Sequence, residues 1–239
     1  DAPFQLHTFK RKGKDEREYI LPVKTTVGQL SSKVVDWFKT RGISEQTLKK
    51  LRVGVGKEFM PQTGKKENTI QFNYLVGGQL TNVKYRDGRK NFKLFKGAEK
   101  VFYNIDSIVG HDYCVIVEGE MDVLALHEAG ITNAISVPNG ATLNTNNLDY
   151  LDNCIDYFED KKKIIIAVDN DPPGIALQQE LIRRLGAEVC FISTFDDCKD
   201  ANEYLLKHGT KELMSRIKQA HPVPLENVTT FKDIEDEVT

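Results

Sequence analysis

The sequence predicts an α/β fold in which a central, mostly parallel sheet is flanked by helices and preceded by a smaller α+β region. Three observations carry that reading. Tyr113–Val117 and Ile164–Val168 are apolar runs of the length of a fully buried strand, and each ends in acids. Each then gives way to a helical pattern: Met121, Leu124 and Ala125 fall at i, i+3, i+4 after Gly119, and Pro172-Pro173 opens a helix that Gly186 stops. Upstream the period is two. Ile70, Phe72, Tyr74 and Val76 alternate with Gln71, Asn73 and Leu75 before a Gly77-Gly78 hairpin turn.

In chain order, the first segment to about Val27 is polar, with Lys10, Arg11, Lys12 and Lys14 in its middle, and holds a weak strand near Glu18–Leu21. Val34, Val35, Trp37 and Phe38 then form the apolar face of a helix within Gln29–Thr40, closed by Gly42. Ser44 caps a short helix over Glu45–Leu51. After the first hairpin, the return strand places Val83 and Tyr85 on one face and Lys84 and Arg86 on the other, and Asp87-Gly88 signals a second hairpin. Near Asp106 strand and helix patterns begin to alternate. Ala134–Val137 and Glu188–Ser193 read as further strands, Asn146–Phe158 as a helix, and Asp200 opens a helix ending near Gly209 that another follows over Lys211–Gln219. The tail from His221 is acidic and holds two prolines, a linker rather than core. The organisation is thus 1–105, 106–220 and a linker over 221–239.

The 239 residues, 40% hydrophobic, are enough for one large or two modest domains with a real core. A net charge of −2 gives no global positive field, so a nucleic-acid partner has to be met by a local patch. Residues 84–100 form one, with seven basic side chains against two acidic ones and Tyr85, Phe92 and Phe95 between them. A solvated face is the plain alternative; aromatics among cations suit single strands, which offer bases to stack and phosphates to neutralise. Cys114, Cys154, Cys190 and Cys198 show neither CxxC spacing nor a neighbouring His at ligand spacing, and read as reduced structural thiols of a cytosolic protein. No apolar run is long enough for a membrane span and no signal peptide opens the chain. It begins with Asp rather than Met, as a piece of a longer protein would.

The chemistry is expected at the two acidic strand ends. Glu118 ends one strand and Asp122 stands in the first turn of the helix after it, so both carboxylates face the crevice at the carboxyl edge of the sheet, where open α/β sheets bind ligands. Asp169 and Asp171, two residues apart after the second strand, can share an ion of the hard kind that Mg²⁺ represents. Singly, each acid reads as a solvated carboxylate or a helix cap. Together, with no Lys or Arg inside either motif to pair with, they call for a cation. Pro138-Asn139-Gly140-Ala141 exposes backbone N–H groups that suit a phosphate or a plain loop equally.

EGEMD at Glu118–Asp122, PNGA at Pro138–Ala141, DNDPPG at Asp169–Gly174 and KDANE at Lys199–Glu203 resemble the successive motifs of a Toprim domain. The last two resemble those of the phage-type and Twinkle-like primase-helicases and their DnaG-type relatives. RGISEQTL at Arg41–Leu48, VKYRDG at Val83–Gly88 and the following FKLFKGAEKVFYNID resemble the amino-terminal subdomain of such primases. The resemblance covers roughly residues 30–225. It implies a DNA primase that joins nucleoside triphosphates on a single-stranded DNA template, with Mg²⁺ or Mn²⁺ held by Glu118, Asp169, Asp171 and Asp200 and assisted by Asp122. Two-metal phosphoryl transfer needs positioning and charge neutralisation rather than a Ser, Cys or His nucleophile. Lys84, Arg86, Lys90 and Lys93 would hold template or nucleotide phosphates. The implied partners are a fused replicative helicase domain and a zinc-binding module missing from this chain, with no membrane, in the cytoplasm of a bacterial or phage-infected cell. Asn202 departs from relatives that carry a further Asp there. The alternative within the same resemblance is a non-catalytic DNA-binding and assembly module.

Overall fold

The structure, a computed structural model, describes residues 8–10, 18–22, 30–141 and 148–224. The basic stretch at Arg11–Lys14, the start of the Asn146 helix and the tail positions Leu225, Val228 and Phe231 lie outside the described residues.

A short antiparallel pair, β1 (Thr8–Lys10) and β2 (Glu18–Ile20), comes first. Helix α1 (Ser32–Lys39) buries Val35 and Phe38, and α2 (Glu45–Lys50) starts where the Ser44 side chain accepts from the Thr47 N–H. A four-stranded antiparallel sheet follows in the order β3-β4-β5-β6: Gly54–Met60, Lys65–Val76, Gln79–Asp87 and Phe92–Leu94. Gly77 and Gly78, at φ of 58° and 77°, make the β4–β5 turn that side-chain-bearing residues resist. Strand β3 falls in a stretch the periodicity left unassigned. It is an edge strand interrupted by Gly56 and charged residues, so no clean alternation marks it.

The second sheet runs β11-β10-β9-β7-β8, with β7 (Tyr113–Val117), β8 (Ala134–Ser136), β9 (Lys163–Ile166) and β10 (Cys190–Ile192) all parallel. Helix α3 (Glu120–Glu128) links β7 to β8; α4 (Asp149–Cys154) precedes β9; α5 (Pro172–Leu185) and α6 (Ala201–Lys218) complete the layers. Gly209, at φ 84° and ψ 175°, breaks α6 where the sequence places a helix end. Helix α3 packs against α6 and β8 and buries Val123, Leu124, Ala125 and Leu126 on every side. Strand β11 (His221–Pro222) pairs antiparallel with β10, and the Val223 N–H donates to the Cys190 carbonyl at 3.2 Å. The chain therefore does not leave the fold at 221 as the linker boundary proposed; backbone pairing, which an apolar count does not register, holds it to 223.

A continuous apolar cluster runs from Phe38, Leu48 and Phe72 through Phe102 and Tyr103 to Val115, Leu124 and Ile166. Tyr103, fully buried, forms a bridge with Ser136 of β8 and donates its hydroxyl to the Leu51 carbonyl. The helical opening, the antiparallel sheet and the parallel sheet thus share a core.

Candidate active site

After β8 the chain returns to the other side of β7 to lay down β9, so the winding reverses between these two strands. A crevice opens beyond their carboxyl ends. The register Ile116↔Ile166 brings Glu118 and Asp169 to the same edge. Asp171 is the N-cap of α5 and Asp200 that of α6, their side chains accepting from the Gly174 and Glu203 N–H groups at 3.0 and 2.8 Å. Gly174 is obligatory in this turn, since a Cβ there would stand 2.1 Å from the Asp169 carbonyl oxygen.

The five acids feel one another. Burial pushes the Glu118 carboxyl above the usual range and Asp171 adds to the rise. Burial, then the Glu118 and Asp200 charges, lift Asp169 to about 7 although Lys199 opposes. Asp122 is raised well above the carboxylate range by burial, with Asp200, Asp169 and Glu118 contributing. One Glu118 oxygen accepts from the Ala141 N–H at 3.0 Å, which gives the Pro138–Ala141 turn a use: it steadies a carboxylate. The other, Oε2, is buried without a hydrogen-bond partner. Asp122 has both oxygens committed, to the Gly119 N–H at 3.2 Å and the Asn202 N–H at 3.1 Å, and braces α3 against α6. The Asn202 amide donates to the Arg41 carbonyl at 2.8 Å; an aspartate there would set oxygen against oxygen.

Sequence reasoning missed Lys199. Its Nζ lies 3.2 Å from Asp169 and 3.7 Å from Asp171, and these contacts hold it above the ordinary lysine range. No cation lies inside either acidic motif, as expected, but one arrives from a third motif, the KDANE segment. That segment's ordering at the α6 N-terminus is the signal that could have found it.

The basic patch is less available than its sequence suggests. Lys84 is buried and makes bonds of 2.9 and 3.0 Å to Glu120, whose Oε1 also accepts from the Tyr74 hydroxyl. Lys93 pairs with Glu58 at 2.9 Å. Arg86 is buried, stacked 4.7 Å from Trp37 and 5.9 Å from Phe92, and lines a cleft of about 660 Å³ with Lys33, Lys57 and Asn68. Lys90 is exposed in the β5–β6 turn. The four cysteines are free and buried. His208, however, lies 3.8 Å from Asp197, beside Cys198, a proximity that the spacing did not suggest.

The Toprim-like family matches residues 115–205, the span that carries all five acids. A primase homolog protein of Arabidopsis thaliana is 37% identical over 232 residues, 90% of this chain and 67% of that protein. This chain belongs to the Toprim-containing, Twinkle-like primases. The Twinkle homolog protein, chloroplastic/mitochondrial, of Arabidopsis thaliana is 35% identical over 226 residues, 87% of this chain and 31% of that protein. The chain therefore spans about a third of that relative's length. Among solved structures, the primase fragment of the bacteriophage T7 primase-helicase matches with a TM-score of 0.63 and 27% identity, covering 74% of this chain and 71% of that one. The Toprim fold expected from the sequence is the fold observed.

Proposed function

We propose that this chain is a DNA primase that synthesises short RNA primers on single-stranded DNA from nucleoside triphosphates, as the primase part of a primase-helicase. The observation that carries it is the crevice itself: five mutually repelling carboxylates, one with an orphaned buried oxygen, gathered at the winding reversal of a primase fold. Structural acids would be expected to have their oxygens satisfied, as Asp122 does.

The donor chemistry suits a hard divalent cation, Mg²⁺ or Mn²⁺, because every side chain offered is a carboxylate and Lys199 already stands where positive charge is wanted; no three of these acids have ligand oxygens all within 4.8 Å of one another, so they would draw together around an ion. Glu118, Asp169 and Asp171 would hold it, with Asp200 beside them. Such an ion, when bound, neutralises charge on the reacting phosphate and hydroxyl oxygens. The protein's own share is positioning: Ala141 aims Glu118, Gly174 lets α5 close on the Asp169 carbonyl, and Asp122 locks α6 so that Lys199 and Asp200 reach the crevice. Lys199, its side chain 60% exposed, swings free once the acids are otherwise neutralised and can meet a triphosphate. Lys90, with Arg86 at the Trp37 cleft, faces the template; Lys84 and Lys93 join them only by leaving their carboxylate partners.

A replicative helicase domain fused beyond the tail and a zinc-binding module ahead of the chain are its proposed partners. Among the described residues no helix is long and apolar enough to cross a membrane. The proposed location is the cytoplasm of a bacterial or phage-infected cell, with an organelle as the alternative that the Arabidopsis Twinkle homolog's name carries. The deciding experiment is primer synthesis on single-stranded templates with Mg²⁺, with Mn²⁺ and with chelator. Metal-dependent oligoribonucleotides support the reading. Tight DNA binding with no product under any metal would make the chain a non-catalytic assembly module instead.

A further inference from the structure

Outside the acid crevice, the β10–α6 connection gathers a different set of ligands. Among the described residues, the group of three His, Cys, Asp or Glu side chains whose ligand atoms all lie within 4.8 Å of one another is Asp197, Cys198 and His208. Asp197 Oδ1 is the hub, 3.7 Å from the Cys198 sulfur and 3.8 Å from His208 Nε2. Tetrahedral bonds of about 2.0 Å to oxygen and nitrogen and 2.3 Å to sulfur put neighbouring ligand atoms roughly 3.3–3.5 Å apart. The two contacts at Asp197 therefore need to tighten by only a few tenths of an ångström, and the sulfur and imidazole, already within 4.8 Å of each other, close the remaining gap around an ion.

The surroundings hold these groups in place. The His208 ring lies against Tyr204, centroids 4.4 Å apart, and Tyr204 in turn against Phe195 at 6.0 Å. Gly209 breaks α6 one residue after His208. Lys207 pairs with Oδ2 of Asp197, leaving Oδ1 turned to the sulfur and the imidazole. Cys198 is buried while Asp197 and His208 reach solvent, so an ion enters from their side.

We infer that Asp197, Cys198 and His208 form a second metal site, for a borderline-soft divalent ion of the Zn²⁺ class, with water in the fourth position. The sulfur and imidazole select against Mg²⁺, which takes six oxygens, so the two sites do not compete for one ion. On binding, the thiol proton is released to solvent, the neutral imidazole supplies its lone pair, and no electrons change hands. The site lies one residue before Lys199 and two before Asp200, so loading it would stiffen the segment that delivers both to the acid crevice.

The test is a titration of the metal-free full chain with Co²⁺ in excess Mg²⁺. A near-ultraviolet sulfur-to-cobalt charge-transfer band with intense visible bands of four-coordinate Co²⁺, saturating at a single ion and bleached by Zn²⁺, is expected. Cys198→Ser should abolish the sulfur band, and His208→Ala, at a partly exposed position that leaves the core alone, should weaken binding by about tenfold or more. Asp169→Asn should leave the band unchanged. Absence of a sulfur band, or its persistence in Cys198→Ser, would overturn the assignment, and a Co²⁺ spectrum without a sulfur band that Asp169→Asn abolishes would place the ion in the acid crevice instead.

Discussion

The acid crevice and the antiparallel sheet beside it carry opposite charge and opposite degrees of satisfaction. In the crevice, burial and mutual repulsion raise Glu118, Asp122 and Asp169, and the cation that reaches two of the acids, Lys199, is largely exposed. In the sheet, Lys84 already has Glu120, Lys93 has Glu58, and the Arg86 guanidinium lies 4.7 Å from the Trp37 ring and 5.9 Å from that of Phe92. The difference teaches that a run of like charge says little about function until its partners are known. A charge that the fold leaves uncompensated points to a ligand; one that the fold neutralises points to architecture.

The largest test of that contrast is Lys84→Met. Breaking a buried pair strands Glu120 without its counter-ion, a loss of about 3–5 kcal/mol of stability that denaturant titration would read. If Lys84→Met is stable and merely binds DNA less well, Lys84 belongs with the ligand-facing cations and the contrast fails. Next comes Asp169→Asn, which should cut primer synthesis by at least about 100-fold, near 2.7 kcal/mol of transition-state stabilisation, while melting at or above the wild-type temperature without metal. Undiminished activity would remove Asp169 from the site.

A pH series sharpens the same point. Asp169 titrates near 7 in the folded chain against an ordinary 3.8, so the native state binds its proton more tightly than the unfolded state does. Its contribution is therefore favourable below about 4 and is lost as pH rises through 7, and metal-free stability should fall across that window. Saturating Mn²⁺ should flatten the fall by displacing the proton; an Asp169→Asn variant whose metal-free stability follows the wild-type pH profile from 4 to 7 would contradict the assignment. The smallest effects belong to the rim. Lys90→Ala should lower the slope of log affinity against log salt by about one and leave stability alone. Lys93→Ala, in a half-exposed pair, should cost no more than about 1 kcal/mol.

Much of this was written locally in the chain. The β7 and β9 runs, the Gly77-Gly78 turn, the Ser44 cap and the α6 break at Gly209 follow from short-range pattern, because burial on both faces, positive φ and capping each demand particular residues close in sequence. What did not show was pairing at a distance. Glu120 lies 36 residues from Lys84 and Glu58 lies 35 from Lys93, so nothing in the basic run announced that two of its members were taken. Lys199 was hidden for the same reason, its acids lying in another motif. Cys198 and His208 are ten apart, and they come within 4.8 Å of each other only because Asp197 and Cys198 lie just ahead of the α6 N-terminus, beside the helix turn that carries His208. Strand β11 was lost because two residues of backbone pairing leave no trace in composition.

Strand β8 is the outermost strand of the parallel sheet, and along it the Tyr103 backbone exchanges hydrogen bonds of 2.9 and 3.3 Å with Ser136. That segment shields the edge from strand addition by another molecule, the hazard that open sheet edges present. A chain cut at 106 to isolate the acid-bearing half would uncover the edge, together with the apolar seat vacated by Phe102 and Tyr103. The segment around Tyr103 therefore covers an edge of the acid-bearing half, and a piece that begins downstream of Tyr103 should self-associate more than one that begins upstream of Phe102.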